Sequence, residues 1–319
     1  MRLVAVIFMA VLMLAALNAA QAEDFPAKGS VDTAQQRTIN INGVSRDYLI
    51  QPVKEGGGPF PVVVLLHGGT QTARQVWEQT SLPVLAAREH FILVAPQGVN
   101  NQWNDVYGPS MSGQSSDADD LEFLHSLIRA VIAKDKAYAG AVFLAGVSKG
   151  GFMALHYACA HAADLRAVAS VAASLPLNEA RDCRPTLSRP LLLMNGMKDP
   201  FVPFEGQRAG TIKNGYPQPP LLSPDETFAF WTHIGQCKKD IVKETLKGNS
   251  DNDWAERRTR KGCIGNFSYV QYVFHNVGHQ WPDGGVSRII DSGSAIWDFF
   301  HSTLPEAYRT PVPPKVGKP

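Results

Sequence analysis

An α/β fold, with a mostly parallel central sheet and helices on both faces, is what this sequence predicts, and three observations predict it. Short runs that are apolar at nearly every position recur along the chain, at Pro61 to Leu66, Phe91 to Ala95, Ala141 to Ala145, Val168 to Ala172 and Leu191 to Met194. A strand without polar alternation is buried on both faces, which is the condition of a parallel strand covered by helices. Helical patterns lie between these runs, the clearest being Leu121, Leu124, Ile128 and Val131, with Phe123 and Leu127 widening the stripe. Strands alternating with helices define an open sheet that binds ligands beyond the carboxyl ends of its strands.

Taken in chain order, Arg2 is followed by an apolar run from Leu3 to Leu17 and then by Ala20-Gln21-Ala22. The run falls short of the roughly 20 apolar residues that span a bilayer. It reads as a signal peptide, residues 1–22, cleaved near Ala22. Residues 23–37 are polar and patternless and are expected to be flexible. Structure begins at Thr38 to Ile41, and Asn42-Gly43 before Val44 to Ile50 signals a hairpin. Gly56-Gly57-Gly58-Pro59 breaks the chain ahead of the first buried strand, and Ser115 through Asp120 offers an N-cap for the helix that follows. Residues 206–225, rich in Gly and Pro, read as a flap near a site. Two late strands, Ile241 to Leu246 and Phe267 to Val273, precede a helix through Ile289 to Leu304 and a Pro-rich tail, residues 305–319, that is expected to be loose. Residues 38–304 are read as one domain.

Lys and Arg number 30 against 29 Asp and Glu, so no net field exists to hold nucleic acid or an anionic surface. The basic run Arg257-Arg258-Thr259-Arg260-Lys261 lacks interleaved aromatics and reads as a solvated loop. No membrane anchor and no obligate protein partner are expected. Four cysteines, Cys159, Cys183, Cys237 and Cys263, suit two disulfides in an oxidising compartment. Three pairings are possible. Adjacent pairing, Cys159 with Cys183 and Cys237 with Cys263, is favoured because each pair would bracket one helix-strand unit. No C-x-x-C pair indicates zinc, and neither metal nor organic cofactor is expected.

The chemistry concentrates at the strand ends. Ser148 stands in Gly146-Val147-Ser148-Lys149-Gly150, after one apolar run and before a helical segment. This is the setting of a nucleophile elbow, in which a sharp strand-to-helix turn holds a serine hydroxyl out at the sheet edge. A serine needs a base to take its proton and an acid to orient that base, in the chain order Ser, acid, His. Asp199 follows the run ending at Met194 and is the best-placed acid, with Asp182, Asp225 and Asp251 as fallbacks. His279, on a glycine-led loop after the last strand, is preferred as base over His275, which continues the strand itself. The Lys149 N–H, with that of Gly69 or Thr70, would stabilise a developing oxyanion. His67, Trp103, Tyr107 and Trp281 are candidates for lining a substrate pocket, ordinary packing being the alternative reading.

With these pieces in order, the chain resembles the secreted polyhydroxybutyrate depolymerase and feruloyl esterase family of α/β-hydrolases, from about Tyr48 to Phe300. The resemblance rests on His67-Gly68-Gly69, on Pro96-Gln97-Gly98 with Trp103-Asn104, and on Asp119 to Leu124. It rests further on Gly146 to Gly151, on Asn195-Gly196 with Asp199, and on Val277-Gly278-His279-Gln280-Trp281-Pro282. It implies an α/β-hydrolase fold, a triad of Ser148, Asp199 and His279, and the Cys159–Cys183 pairing. Many relatives carry Cys where Gly69 stands, and those that attack insoluble polyester add a linker and a binding domain that this chain lacks. The expected function is a secreted serine ester hydrolase for short hydroxyalkanoate esters or for feruloyl or acetyl plant-wall esters. A peptidase of the same fold would usually need a gating propeller, for which the length leaves no room. A non-catalytic binding protein on this scaffold would have no use for all of these groups.

Overall fold

The computed structural model describes residues 27–105, 107, 116–213, 215–282 and 289–309. The expected signal peptide, Ser115 of the expected cap and most of the Pro-rich tail lie outside these residues. The strands are β1 (Gln35–Ile41), β2 (Val44–Gln51), β3 (Phe60–Leu66), β4 (Ile92–Pro96), β5 (Ala137–Val147) and β6 (Ala167–Val171). They continue with β7 (Leu191–Gly196), β8 (Ile212–Lys213), β9 (Tyr216–Pro217), β10 (Ile241–Lys247), β11 (Trp254–Arg260) and β12 (Tyr269–Phe274). The helices are α1 (Ala73–Gln79), α2 (Leu82–Glu89), α3 (Asp120–Lys134), α4 (Lys149–Ala160), α5 (Leu177–Asp182), α6 (Pro224–Ile234) and α7 (Ser292–Thr303).

Among the described residues the main sheet has ten strands in the order β1-β2-β4-β3-β5-β6-β7-β12-β11-β10. Its centre, from β4 to β12, is parallel, and both margins are antiparallel. The apolar runs become these central strands because each supplies both faces. In β3, Val63 and Leu65 join the layer under α1, α2 and α7, while Val62, Val64 and Leu66 join the layer under α3, α4 and α6. On α3, Phe123, Leu124, Leu127, Ile128 and Val131 are buried, and the Asp119 carboxylate caps the helix by accepting from the Glu122 N–H. Cys159 is bonded to Cys183 and Cys237 to Cys263.

Three expectations need correction. The basic run 257–261 is not a solvated loop, since Arg257, Arg258 and Arg260 lie in β11, paired on both sides by β10 and β12. Ala255 and Thr259 are buried there, while Arg258 pairs with Asp225 and Glu256, and Arg257 with Glu244. Residues 27–37 are held rather than loose: β1 begins at Gln35, the Gly29 N–H donates to Thr80 O, and Trp77 Nε1 donates to Ser30 O. The described part of the tail also docks, with Tyr308 stacked on Tyr138 at 4.4 Å. The described part of the flap carries the small β8-β9 hairpin, and its Tyr107 contact runs through Gln218.

Candidate active site

Four central strands end on one edge, and each delivers a loop to the same place. Ser148 follows β5 with φ 54° and ψ −121°, a strained backbone for a non-glycine residue. The flanking glycines are steric requirements. A Cβ at residue 146 would lie 2.2 Å from Gly150 O, and one at residue 150 would lie 2.4 Å from Leu66 O. The loop after β7 buries Asp199, whose Oδ1 accepts from the N–H groups of Phe201 and Val202 at 2.8 and 2.9 Å. Its Oδ2 faces His279 Nδ1 at 2.8 Å, and His279 Nε2 faces Ser148 Oγ at 2.8 Å. The serine, the imidazole and the carboxylate therefore form one hydrogen-bonded chain. Phe201 stands edge-on to the His279 ring at 5.0 Å, and Lys213 of β8 ties down the carbonyls of Pro200 and Phe201.

Two of the rivals are occupied elsewhere. His275 stacks on Trp254 at 4.7 Å, and Asp225 accepts from Arg258 and Gln271 at the start of α6. Of the two candidate oxyanion donors after β3, Thr70 is corrected, because its N–H is committed to Asn101 O at 2.8 Å. The Gly69 N–H makes no hydrogen bond among the described residues, and Gly69 lines the cleft beside Ser148.

That cleft, about 480 Å³, is bounded by Gly68, Gly69, Gln71, Gln79, Ser148 and His279, with Gln280, Trp281, Val147 and Lys28 completing it. Trp281 lines it. Trp103, Tyr107 and His67 do not, and are corrected to supporting roles. Trp103 is buried beneath the β3 loop and donates from Nε1 to His67 O at 2.8 Å. Tyr107 stacks on Phe152 and donates to Gln218 Oε1. Beside it the buried Lys149 side chain donates to Asp105 Oδ1 at 2.7 Å, anchoring the first residue of α4. The sequence reading missed Lys28, Gln71, Gln79 and Gln280. Gln280 carried a signal in its place beside His279, and Gln71 in its place directly after Gly69-Thr70; Lys28 and Gln79 reach the cleft through tertiary folding.

His67 is a buried histidine with a fixed job. Its Nδ1 lies 2.8 Å from Gly68 O and its Nε2 accepts the Gly98 N–H at 2.9 Å, so the neutral ring with hydrogen on Nδ1 satisfies both contacts. Burial outweighs the Gly68 contact and lowers its pKa from 6.5 to about 4. On acidification the unfolded chain therefore takes up this proton first. The stability carried by the neutral ring is complete above the unfolded value of 6.5 and is lost as pH falls from there toward about 4. That difference corresponds to about 3 kcal/mol. Urea unfolding at pH 7 and pH 4.5 should show wild type losing more stability than His67→Gln, which keeps a donor and an acceptor without titrating. Equal losses would remove His67 as the cause.

The matches to known proteins agree with this geometry. A Phospholipase/Carboxylesterase family model matches residues 53–211. The chain is 27% identical over 262 residues to a protein of Nocardia uniformis subsp. tsuyamanensis named as esterase NocK, covering 79% of this chain and 75% of that one. It is 26% identical over 252 residues to feruloyl esterase B of Piromyces equi, covering 76% of this chain and 42% of that one. Among solved structures, acetyl xylan esterase from Aspergillus awamori shares the fold at TM-score 0.57 and 15% identity, over 86% of this chain and 100% of that one. The chain has the α/β-hydrolase fold and is a carboxylic ester hydrolase.

Proposed function

We propose that the protein is a secreted serine esterase in which Ser148 is the nucleophile, His279 the general base and Asp199 the residue that orients it. The observation that carries this reading is the chain from Ser148 Oγ through His279 to Asp199 Oδ2, with both links at 2.8 Å, opening on a cleft. His279 Nε2 takes the hydroxyl proton as Oγ attacks the ester carbonyl, while Asp199 holds the other ring nitrogen and balances the imidazolium charge. The carbonyl oxygen becomes an oxyanion held by the N–H groups of Lys149 and Gly69. Collapse of this intermediate breaks the ester C–O bond, and the imidazolium returns its proton to the leaving alcohol. Water, deprotonated by the same imidazole, then releases the acid from the acyl-serine.

For the substrate we favour feruloyl or acetyl esters of plant-wall carbohydrate over hydroxyalkanoate esters. Two curated relatives carry feruloyl esterase names, and the cleft is lined by Gln71, Gln79 and Gln280 beside Trp281, polar side chains suited to a hydroxyl-rich alcohol. Secretion is supported by the apolar run at Leu3 to Leu17 and by the two disulfides. Methyl ferulate, acetylated xylan and 3-hydroxybutyrate oligomers at matched concentrations form the test. One of the first two should exceed the oligomers at least about tenfold in kcat/KM, a preference of about 1.4 kcal/mol. Faster turnover of the oligomers would overturn the substrate and leave the serine chemistry standing.

A further inference from the structure

We propose that His125, His161 and Asp164 form a site for a divalent transition-metal ion of the zinc class, clasping α3 to the end of α4. His125 projects from α3, His161 is the residue that ends α4, and Asp164 closes the short turn Ala162–Asp164 that follows. His125 Nδ1 lies 2.7 Å from Asp164 Oδ2 and His161 Nδ1 lies 3.9 Å from the same oxygen. One ligand atom from each of the three residues falls within 4.8 Å of the others.

Those separations bracket the spacing a metal would impose. With bonds of about 2.0–2.1 Å in tetrahedral geometry, neighbouring ligand atoms sit about 3.4 Å apart. The metal replaces the hydrogen between His125 and Asp164, opening that contact and drawing His161 in. The two rings stack with centroids 5.2 Å apart, so two imidazolium charges there would repel, whereas an ion coordinated by both neutral rings would not. Two imidazole nitrogens with one carboxylate oxygen suit zinc, nickel or copper rather than calcium or magnesium. The side chains are 28%, 33% and 23% exposed, which leaves water access to the remaining coordination positions.

An outer partner is already in place, since Tyr157 Oη donates to Asp164 Oδ2 at 2.7 Å. The neighbouring group Cys159, Glu179 and Cys183 is no competitor, because its sulfurs are closed in a disulfide. The twelve residues of α4 put about 18 Å between this cluster and Ser148. The ion therefore acts as a clamp on the helical layer, outside the reaction.

Titrating the full chain with zinc chloride, by calorimetry and by thermal unfolding, tests this. Wild type should bind at this site and gain Tm, magnesium should give no gain, and His125→Gln/His161→Gln should lose at least tenfold in zinc affinity while hydrolysing esters normally. Tyr157→Phe, which keeps both histidines, should weaken zinc by about tenfold through loss of the outer partner. Absence of a zinc-dependent gain in wild type, or wild-type zinc affinity in the double variant, would overturn the site.

Discussion

Ser148→Ala should lower kcat on a short p-nitrophenyl ester by about 10⁴-fold or more, and Asp199→Asn by about 10⁴-fold. The first change removes the atom that forms the acyl bond. The second keeps the shape of a side chain whose Oδ1 accepts two backbone N–H groups, but it removes the charge facing His279 Nδ1 and favours the wrong ring tautomer. Members of such a chain act as a unit, so Ser148→Ala/His279→Ala should be hardly slower than Ser148→Ala alone. Neither single change opens a cavity in either apolar layer, and unfolding midpoints should stay close to wild type. Stopped-assay kinetics on purified variants, with a fluorophosphonate label as a second readout, check both. Activity within tenfold of wild type in folded Ser148→Ala would refute the assignment of the nucleophile.

The parallel core was legible because strands buried on both faces announce themselves as unbroken apolar runs: β3 and β7 keep within about two residues of those runs, while β5 contains its run and starts earlier, at Ala137. The order of Ser148, Asp199 and His279 was legible for a related reason. Each sits just past a strand end, where an open sheet gathers its functional loops. Strand β11 was not legible, since Arg257 and Arg258 interrupt its alternation and the strand is specified by pairing with β10 and β12 rather than by its own apolar content. The cleft walls were hidden for a different reason. Lys28 and Gln79 come from segments with no chemical motif, and the hydrogen bonds that seat residues 29 and 30 on Thr80 and on Trp77 of α1 help to bring Lys28 there. Trp103 and Tyr107 stood at the expected strand end, but exposure is decided by the loop's turn inward, which a linear pattern does not encode. The proposed metal ligands His125 and Asp164 stand 39 positions apart, one on α3 and one in the turn after α4, a spacing without any motif.

Asp120→Ala should destabilise the fold by about 3–5 kcal/mol, the cost of leaving a buried charge without its partner. Asp120 is 1% exposed and Arg46 5% exposed, joined at 2.6 Å, with the Arg46 guanidinium lying 3.8 Å over the Phe123 ring. Burial raises the Asp120 pKa even against the pull of Arg46 and the Asn104 N–H, which shows how expensive this carboxylate is to keep charged. A costly group retained at the core of the α3 layer points to a positional role. Its second oxygen accepts the Asn104 N–H at 2.7 Å, and the next residue, Asp105, holds the buried Lys149 ammonium. Strand β2, helix α3, the loop after β4 and the elbow are thereby linked through two adjacent ion pairs. Asp120→Asn retains an acceptor for Asn104 and should cost less stability than Asp120→Ala. Beyond stability, Asp120→Ala should lower kcat more than KM changes, because a displaced Lys149 shifts the N–H that meets the oxyanion and leaves the cleft walls in place. Denaturant unfolding and steady-state kinetics on both variants test the two halves together. If Asp120→Ala cost under about 1 kcal/mol and left kcat at the wild-type value, the pair would be a surface-like ornament with no part in holding the elbow.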